Sequence, residues 1–197
     1  MNIIESIIVI SLAWQISAMP IPAWIASAFF SVDADSFNEV DGWTENNFTF
    51  QNGAWGYLVF SLEFIKGLFA VSVLAMVSEG SILLLGVIPF EYVLAVVVIL
   101  GHTFPIYNEF NRSKSLGAYF GVFAAIWMVP ALIALSVFLI LWSVNKKVNF
   151  SSLIISLSSM VMVTFIMFDI KAFVIASVLA TFLVLFNFQH KVKAVRA

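Results

Sequence analysis

The stretch from Leu100 to Gly121 decides how the rest of the chain is interpreted, and it reads LGHTFPIYNEFNRSKSLGAYFG. A long apolar run ends at Gly101 and His102, and Pro105 follows directly. The polar segment after the proline carries three charged side chains: Glu109, Arg112 and Lys114. Because proline and clustered polar residues separate two apolar runs, we expect a hairpin at a membrane boundary. This boundary is the first candidate for a chemical site.

The composition of the chain indicates a multipass membrane protein. Hydrophobic residues make up 62% of the 197 residues, charged residues make up 10%, and the mean hydropathy is +1.07. So few charges cannot cover a water-facing surface, because soluble domains carry about 25% charged residues. The absence of cysteine excludes disulfides, thiol catalysis and zinc–thiolate sites. We predict a single transmembrane domain over residues 1–197, with membrane lipids as partners, no nucleic acid, and neither metal nor cofactor.

Apolar runs divide the chain into candidate spans, since about 20 apolar residues cross a bilayer. The runs are Ile3–Phe30, Trp55–Val77, Ser81–Phe104, Leu116–Val144, Phe150–Phe168 and Ala172–Phe188. The first contains Pro20 and Pro22, so we expect it to be kinked or broken there. The backbone carbonyls freed by such a break must find donors on neighbouring elements, because lipid supplies none.

The basic residues decide between six and seven spans. Seven of the nine lie in three clusters: Arg112 and Lys114, Lys146 and Lys147, and the tail residues Lys191, Lys193 and Arg196. If all three clusters are cytoplasmic, an even number of crossings separates each pair. The long run Leu116–Val144 then crosses twice, and Pro130 marks its turn. This predicts an all-α bundle of seven spans in the inner cell membrane with a cytoplasmic C-terminus; six spans are the alternative.

The segment from Ser31 to Ala54 is the main polar part of the chain. It holds five carboxylates and no lysine or arginine: Asp33, Asp35, Glu39, Asp41 and Glu45. A solvated acidic loop outside the membrane explains this composition. The carboxylates do not follow the spacing of a calcium-binding loop, so the pattern predicts no metal site.

Two charged residues, Glu63 and Lys66, lie within the second apolar run. A separation of three residues places them on one face of a helix. Charges inside a span are costly and usually face the interior of the bundle. Two interpretations stay open: a structural pair that neutralises itself, or a lysine that supplies positive charge to a buried anion.

Four segments together resemble the acyl-phosphate:glycerol-3-phosphate acyltransferases of bacterial phospholipid synthesis. Gly101 to Lys114 follows, without gaps, the framework of that family's second motif, G-H-x-x-P-V-F-x-x-F-K-G-G-K. Ser17–Pro22 is similar to the family's GSIPFG segment, and Glu63–Gly67 to its D-x-x-K-G helix. Lys147–Ser152 resembles its R-Y-V-S-L-A-S turn. The resemblance covers nearly the whole chain and implies a small seven-span membrane enzyme.

The resemblance also implies roles for particular residues. The family moves an acyl group from acyl phosphate onto the first hydroxyl of glycerol 3-phosphate. This needs a group that holds or deprotonates the hydroxyl, and cations for two phosphates. By position, His102 is the catalytic candidate, and Lys66, Arg112, Lys114 and Asn46 are the phosphate-binding candidates.

The chain departs from the family at each catalytic motif. The first motif, G-S-G-N-x-G-A-T-N, should fall at Asn38–Asn46, where NEVDGWTEN retains only Asn46 and adds three acids. In the second motif Arg112-Ser113 replaces the glycine pair, and the third motif has no match in NFQHK at Asn187–Lys191. Glycines allow a backbone to wrap a phosphate closely, so these losses indicate an eroded site.

Two functions therefore stand as predictions. The first is a non-catalytic member of the family that acts as a membrane subunit or a lipid-binding scaffold. The alternative is an active acyltransferase. A transporter or channel is disfavoured, since the chain has neither a paired inverted repeat with matched broken helices nor a ring of like polar residues.

Overall fold

The computed structural model describes residues 3–30, 54–77, 89–104, 116–145, 148–167 and 169–194. Helices occupy almost all of these residues, and no strand occurs among them. The helices in chain order are α1 (Ile3–Ala18), α2 (Ile21–Phe30), α3 (Ala54–Val77), α4 (Phe90–Thr103), α5 (Leu116–Ile126), α6 (Met128–Asn145), α7 (Val148–Met167) and α8 (Ile170–Ala194). The acidic segment at 31–53 and the predicted hairpin at 105–115 lie outside the described residues.

The first apolar run breaks where the sequence predicts. Helix α1 ends at Ala18 and α2 begins at Ile21, with Met19 and Pro20 between them. Pro20 has no N–H to continue the hydrogen bonding of α1, and its own carbonyl accepts the first bond of α2, from the N–H of Trp24 at 3.1 Å. The two helices are therefore one apolar segment with an interruption.

The long run after Leu116 also divides, but at a different residue from the one predicted. Helix α5 ends at Ile126 and α6 begins at Met128, so the interruption is at Trp127 and not at Pro130. The Trp127 carbonyl accepts the N–H of Ala131 at 3.0 Å, which makes it the first acceptor of α6. Pro130 consequently lies in the first turn, where a missing N–H costs no helical hydrogen bond.

The chain forms two compact units, residues Met1–Ile126 and Trp127–Ala197. In the first unit, α3 packs against α5, and α1 packs against α4. Gly117 and Gly121 allow the close approach of α5 to α3. A Cβ at Gly117 would lie 2.7 Å from the carbonyl oxygen of Phe60, and one at Gly121 would collide with the carbonyl oxygen of Phe64. This Gly-x-x-x-Gly spacing is a sequence signal of close helix packing in membranes that our sequence analysis missed.

The second unit is built by α7 packing against both α6 and α8. Its interior is mainly apolar and includes two buried serines of α7, Ser156 and Ser159. Buried apolar side chains lie on each helix: Phe138, Ile155, Val163, Ala172 and Leu179. The outer faces of the same helices carry exposed large apolar residues such as Leu139, Phe165 and Ile170. Surfaces of this kind are rare on soluble monomers and are suited to lipid.

Length and hydropathy together indicate which helices can cross a membrane. Among the described residues, Phe60–Val77 is long and apolar enough to cross a membrane alone, and the apolar stretches within the other helices are 10–17 residues long. By itself this length criterion identifies one span. The other membrane spans are assigned from the fold similarity that is described below.

Candidate functional site

The site begins at the interruption between α1 and α2. A helix that ends leaves its last carbonyls without intrahelical donors. The carbonyls of Ser17 and Met19 both lie at this end, and Pro20 cannot donate to any of them. In a membrane interior such carbonyls cost several kcal/mol each unless another element supplies a donor.

Lys66 supplies that donor from α3. Its Nζ donates to the carbonyl oxygen of Ser17 at 3.0 Å and to that of Met19 at 3.1 Å. The third contact of the same ammonium is with Nδ1 of His102, at 3.0 Å. An ammonium has three N–H groups, so all three are used by the protein itself. Lys66 therefore connects α3 to the end of α1 and to the end of α4.

His102 is held in the last turn of α4 by the approach of α1. A Cβ at Gly101 would lie 2.7 Å from the carbonyl oxygen of Trp14, so glycine is needed for the two helices to meet here. A second link joins the same helices, since the hydroxyl of Ser17 donates to the carbonyl of Val98. Because an ammonium can only donate, Nδ1 of His102 accepts, and a neutral imidazole then carries its proton on Nε2.

Glu63 lies on the other side of the imidazole. Its Oε1 is 3.8 Å from Nε2 of His102, a charge–dipole contact that is too long for a direct hydrogen bond. Gly117 of α5 leaves room for this carboxylate, because a Cβ there would lie 2.9 Å from the Cβ of Glu63. His102 thus lies between the two charged residues that the sequence places on one helix face.

We call Glu63, Lys66 and His102 the buried network. These three residues are only 8%, 6% and 7% exposed, respectively. The formal charges of a carboxylate, an ammonium and a neutral imidazole sum to zero. A buried charge is tolerated when it is paired and hydrogen-bonded, so neutrality and the three donors of Lys66 explain why the network persists among apolar helices.

The network limits what Lys66 and His102 can do chemically. A phosphate that binds Lys66 has to displace a backbone carbonyl or the imidazole, since no N–H of the ammonium remains. His102 can act as a base at Nδ1 only after Lys66 turns away, whereas Nε2 faces the carboxylate of Glu63. The arrangement suits the positioning role for His102 and the structural interpretation of Lys66; phosphate binding by Lys66 stays a prediction.

The other predicted site residues cannot be joined to this network. Asn46, Arg112 and Lys114 lie outside the described residues, so their part in phosphate binding also stays a prediction. Within the described stretches no group of three or more side chains could hold a metal ion. Ser17 and Met19 enter the site through backbone carbonyls, which no residue-type pattern in a sequence reports.

Comparison with known proteins identifies the family. The family model described as glycerol-3-phosphate acyltransferase matches residues 7–197. The chain is 25% identical over 185 residues to the glycerol-3-phosphate acyltransferase of Fusobacterium nucleatum subsp. nucleatum, covering 92% of this chain and 89% of that protein. It is 27% identical over 176 residues to the enzyme of that name from Enterococcus faecalis, covering 89% and 76%.

Solved structures extend the comparison to the fold. The integral membrane glycerol 3-phosphate acyltransferase PlsY (YgiH), in its lysophosphatidic acid form, superposes with a TM-score of 0.74 at 19% identity, covering 96% of this chain and 91% of that one. Its glycerol 3-phosphate form gives 0.72 at 20% identity. This likeness confirms the predicted fold class, an all-α multipass membrane bundle of seven spans. The match to the family model over residues 7–197 shows that the chain belongs to the glycerol-3-phosphate acyltransferase family.

Proposed function

We propose that this chain keeps the membrane fold of the acyltransferases without their chemistry, and acts as a non-catalytic membrane subunit or lipid-binding scaffold. The observation that carries the proposal is the Lys66 ammonium, whose three N–H groups are bonded to Ser17, Met19 and His102. A cation occupied in this way stabilises helix ends and leaves no donor for a phosphate.

The sequence around the missing motifs supports the same conclusion. Acidic Glu39, Asp41 and Glu45 stand where the family's first motif has a glycine-rich loop. Negative side chains repel a phosphate that this loop would otherwise bind through backbone N–H groups. Removing such preorganised donors costs about 10²–10³ in rate for each donor.

An acyl-transfer assay tests the proposal. The protein is reconstituted in lipid nanodiscs and given acyl phosphate with radiolabelled glycerol 3-phosphate, and labelled lysophosphatidic acid is measured. We expect wild type and His102→Ala to match empty nanodiscs. The glycerol-3-phosphate acyltransferase of Fusobacterium nucleatum, prepared in the same way, is the positive control. Product from wild type that His102→Ala reduces would overturn the proposal.

The second candidate is an active acyltransferase, and the match of the family model over residues 7–197 favours it. In this case His102 holds or deprotonates the first hydroxyl of glycerol 3-phosphate, while Lys66, Arg112, Lys114 and Asn46 bind phosphates. The hydroxyl oxygen bonds to the acyl carbon, inorganic phosphate leaves, and the hydroxyl proton passes to the base. Loss of turnover in Arg112→Met and Lys114→Met, with unchanged unfolding, would support this candidate.

The proposal includes a location and an orientation. The tail residues Lys191, Lys193 and Arg196 favour a cytoplasmic C-terminus, and the family's role in phospholipid synthesis favours the inner membrane. A C-terminal green fluorescent protein fusion should fluoresce, and an alkaline phosphatase fusion at the same residue should be inactive. Native purification in nanodiscs then tests for a second subunit, which the subunit interpretation expects in a fixed ratio.

A further inference from the structure

One face of α1 carries a polar side chain where lipid would be expected. The residues of this face are Ile4, Ile8, Ser11 and Gln15, which we call the α1 stripe. Ile4 and Ile8 are 70% and 53% exposed, and Ser11 and Gln15 are exposed as well. The opposite face is buried, with Val9, Ala13 and Ser17 turned toward the interior of the first unit.

The two polar members of the α1 stripe differ in their hydrogen bonding. The Ser11 hydroxyl donates to the carbonyl of Ile7 at 2.8 Å, so its own helix satisfies it. The Gln15 carboxamide has no such bond, and within the described part of the chain nothing else pairs with it. A carboxamide has two donors and one acceptor oxygen to satisfy.

An unpaired carboxamide is costly at the membrane depth where Gln15 lies. Lys66 lies six residues inside the span Phe60–Val77, about 9 Å along its axis, and it contacts the carbonyl of Ser17. Gln15 is two residues from Ser17 on a continuous helix. It therefore lies level with the interior of the span, where an unpaired polar group costs several kcal/mol.

The spacing of the α1 stripe matches a helix-pairing seam. Its members are separated by four, three and four residues, the pattern by which two parallel helices interlock in a coiled coil. Ser11 in the centre is small enough for two backbones to approach closely. A single polar residue in such a seam fixes register and the number of helices.

We propose that the α1 stripe is a dimer interface, in which the α1 helices of two copies of this chain pair and their Gln15 carboxamides hydrogen-bond to each other. Two copies inserted with the same topology present their α1 helices in parallel. A two-fold axis normal to the membrane then brings each stripe residue against the identical residue of the partner. A carboxamide is its own complement in this geometry, because the oxygen of one accepts from the nitrogen of the other.

Cysteine cross-linking tests the interface, and the chain helps because it has no native cysteine. Ser11→Cys is made in the full chain, oxidised in native membranes with copper phenanthroline, and analysed on non-reducing gels. We expect a product of twice the protomer mass. The matched control is Leu157→Cys on the exposed face of α7, which should stay monomeric. Equal cross-linking of the two variants, or a product of any other mass, overturns the proposal.

The role of Gln15 is tested by a second substitution in the same background. Gln15→Leu removes the carboxamide but suits lipid, so the fold persists and its unfolding midpoint should not fall. We expect the dimer association constant, measured by energy transfer between labelled copies in vesicles, to fall roughly three- to thirtyfold. Gln15→Asn should lower the dimer association constant less than Gln15→Leu does. An unchanged constant in Gln15→Leu would show that the carboxamide does not hold two copies together.

Discussion

Two helix interruptions near prolines differ in the donors that their backbone carbonyls use. Between α1 and α2, the carbonyls of Ser17 and Met19 depend on a lysine that lies 49 and 47 residues further along the chain. Between α5 and α6, the Trp127 carbonyl is bonded by Ala131, four residues away in its own helix. A local bond is common to both, since the Pro20 carbonyl accepts from Trp24 in the same way. The first interruption is distinguished by its additional donor from a distant helix, and the described bond at the second is local.

The difference shows what a proline in an apolar run does and does not determine. Pro20 lies two residues beyond the end of α1, where carbonyls are bonded from another helix, so a charged side chain is brought into the bundle. Pro130 lies in the first turn of α6 and removes an N–H that had no helical acceptor. The position of a proline relative to the helix boundary decides whether a distant donor is required.

The largest expected effect comes from removing the distant donor. Lys66→Met removes the ammonium that donates to two carbonyls and an imidazole nitrogen, and removes the positive charge that acts on the buried Glu63 carboxylate. We expect a loss of about 3–5 kcal/mol in the free energy of unfolding, as for other buried charge pairs that lose one partner. Unfolding in mixed micelles with increasing SDS, followed by tryptophan fluorescence, measures it.

A matched lysine controls for the substitution itself. Lys171 is exposed at the start of α8, so Lys171→Met should change the free energy of unfolding by about 0.5 kcal/mol or less. Glu63→Gln combined with Lys66→Met should recover part of the loss, because the carboxylate on which the ammonium acted is then replaced by a neutral group. A Lys66→Met variant as stable as Lys171→Met would mean that the first interruption does not depend on lysine.

A smaller effect is expected at the imidazole. His102→Leu leaves one N–H of Lys66 without its acceptor while both backbone bonds persist, so we expect a loss of about 1.5–3 kcal/mol. His102→Asn places an oxygen near the position of Nδ1 and should recover part of it. The same unfolding titration applies. Equal losses in the Leu and Asn variants would indicate that packing, not acceptance from Lys66, explains the histidine.

The smallest effect is expected at the second interruption. Pro130→Ala restores an N–H in a turn that needs none and mainly increases the freedom of the unfolded chain, which costs about 0.4–1 kcal/mol. Hydrogen exchange of the Ala131 amide should stay slow, because its bond to the Trp127 carbonyl is unaffected. A loss above 3 kcal/mol would contradict the view that this interruption is stabilised locally.

The helical class, the number of apolar runs and the break at Pro20 were all predictable, because each depends on residues close together in the chain. The break at Trp127 was placed three residues too late. Proline is a signal for both a helix end and a first turn, and the run Leu116–Val144 has no polar residue near Pro130 to separate the two.

The buried network was predictable only in part. The i, i+3 spacing of Glu63 and Lys66 places both on one face of α3, and His102 stood out as the interior histidine of a polar boundary. That His102 lies between them depends on the meeting of α1 and α4 at Gly101 and on the space that Gly117 leaves for Glu63. The resemblance named His102 and Lys66 as site residues but did not reveal that they bond to each other.

The sequence by itself determined that this is an all-α membrane chain with a proline-broken first span and a few charges that must face inward. Apolar length, proline and charge spacing are local properties, and water and lipid act on them directly. Only the tertiary structure decided which acceptors Lys66 binds. Its ammonium can donate to them only after α1, α3 and α4 approach within hydrogen-bond distance. The set of acceptors distinguishes a lysine that stabilises a helix end from one that is free to bind a phosphate.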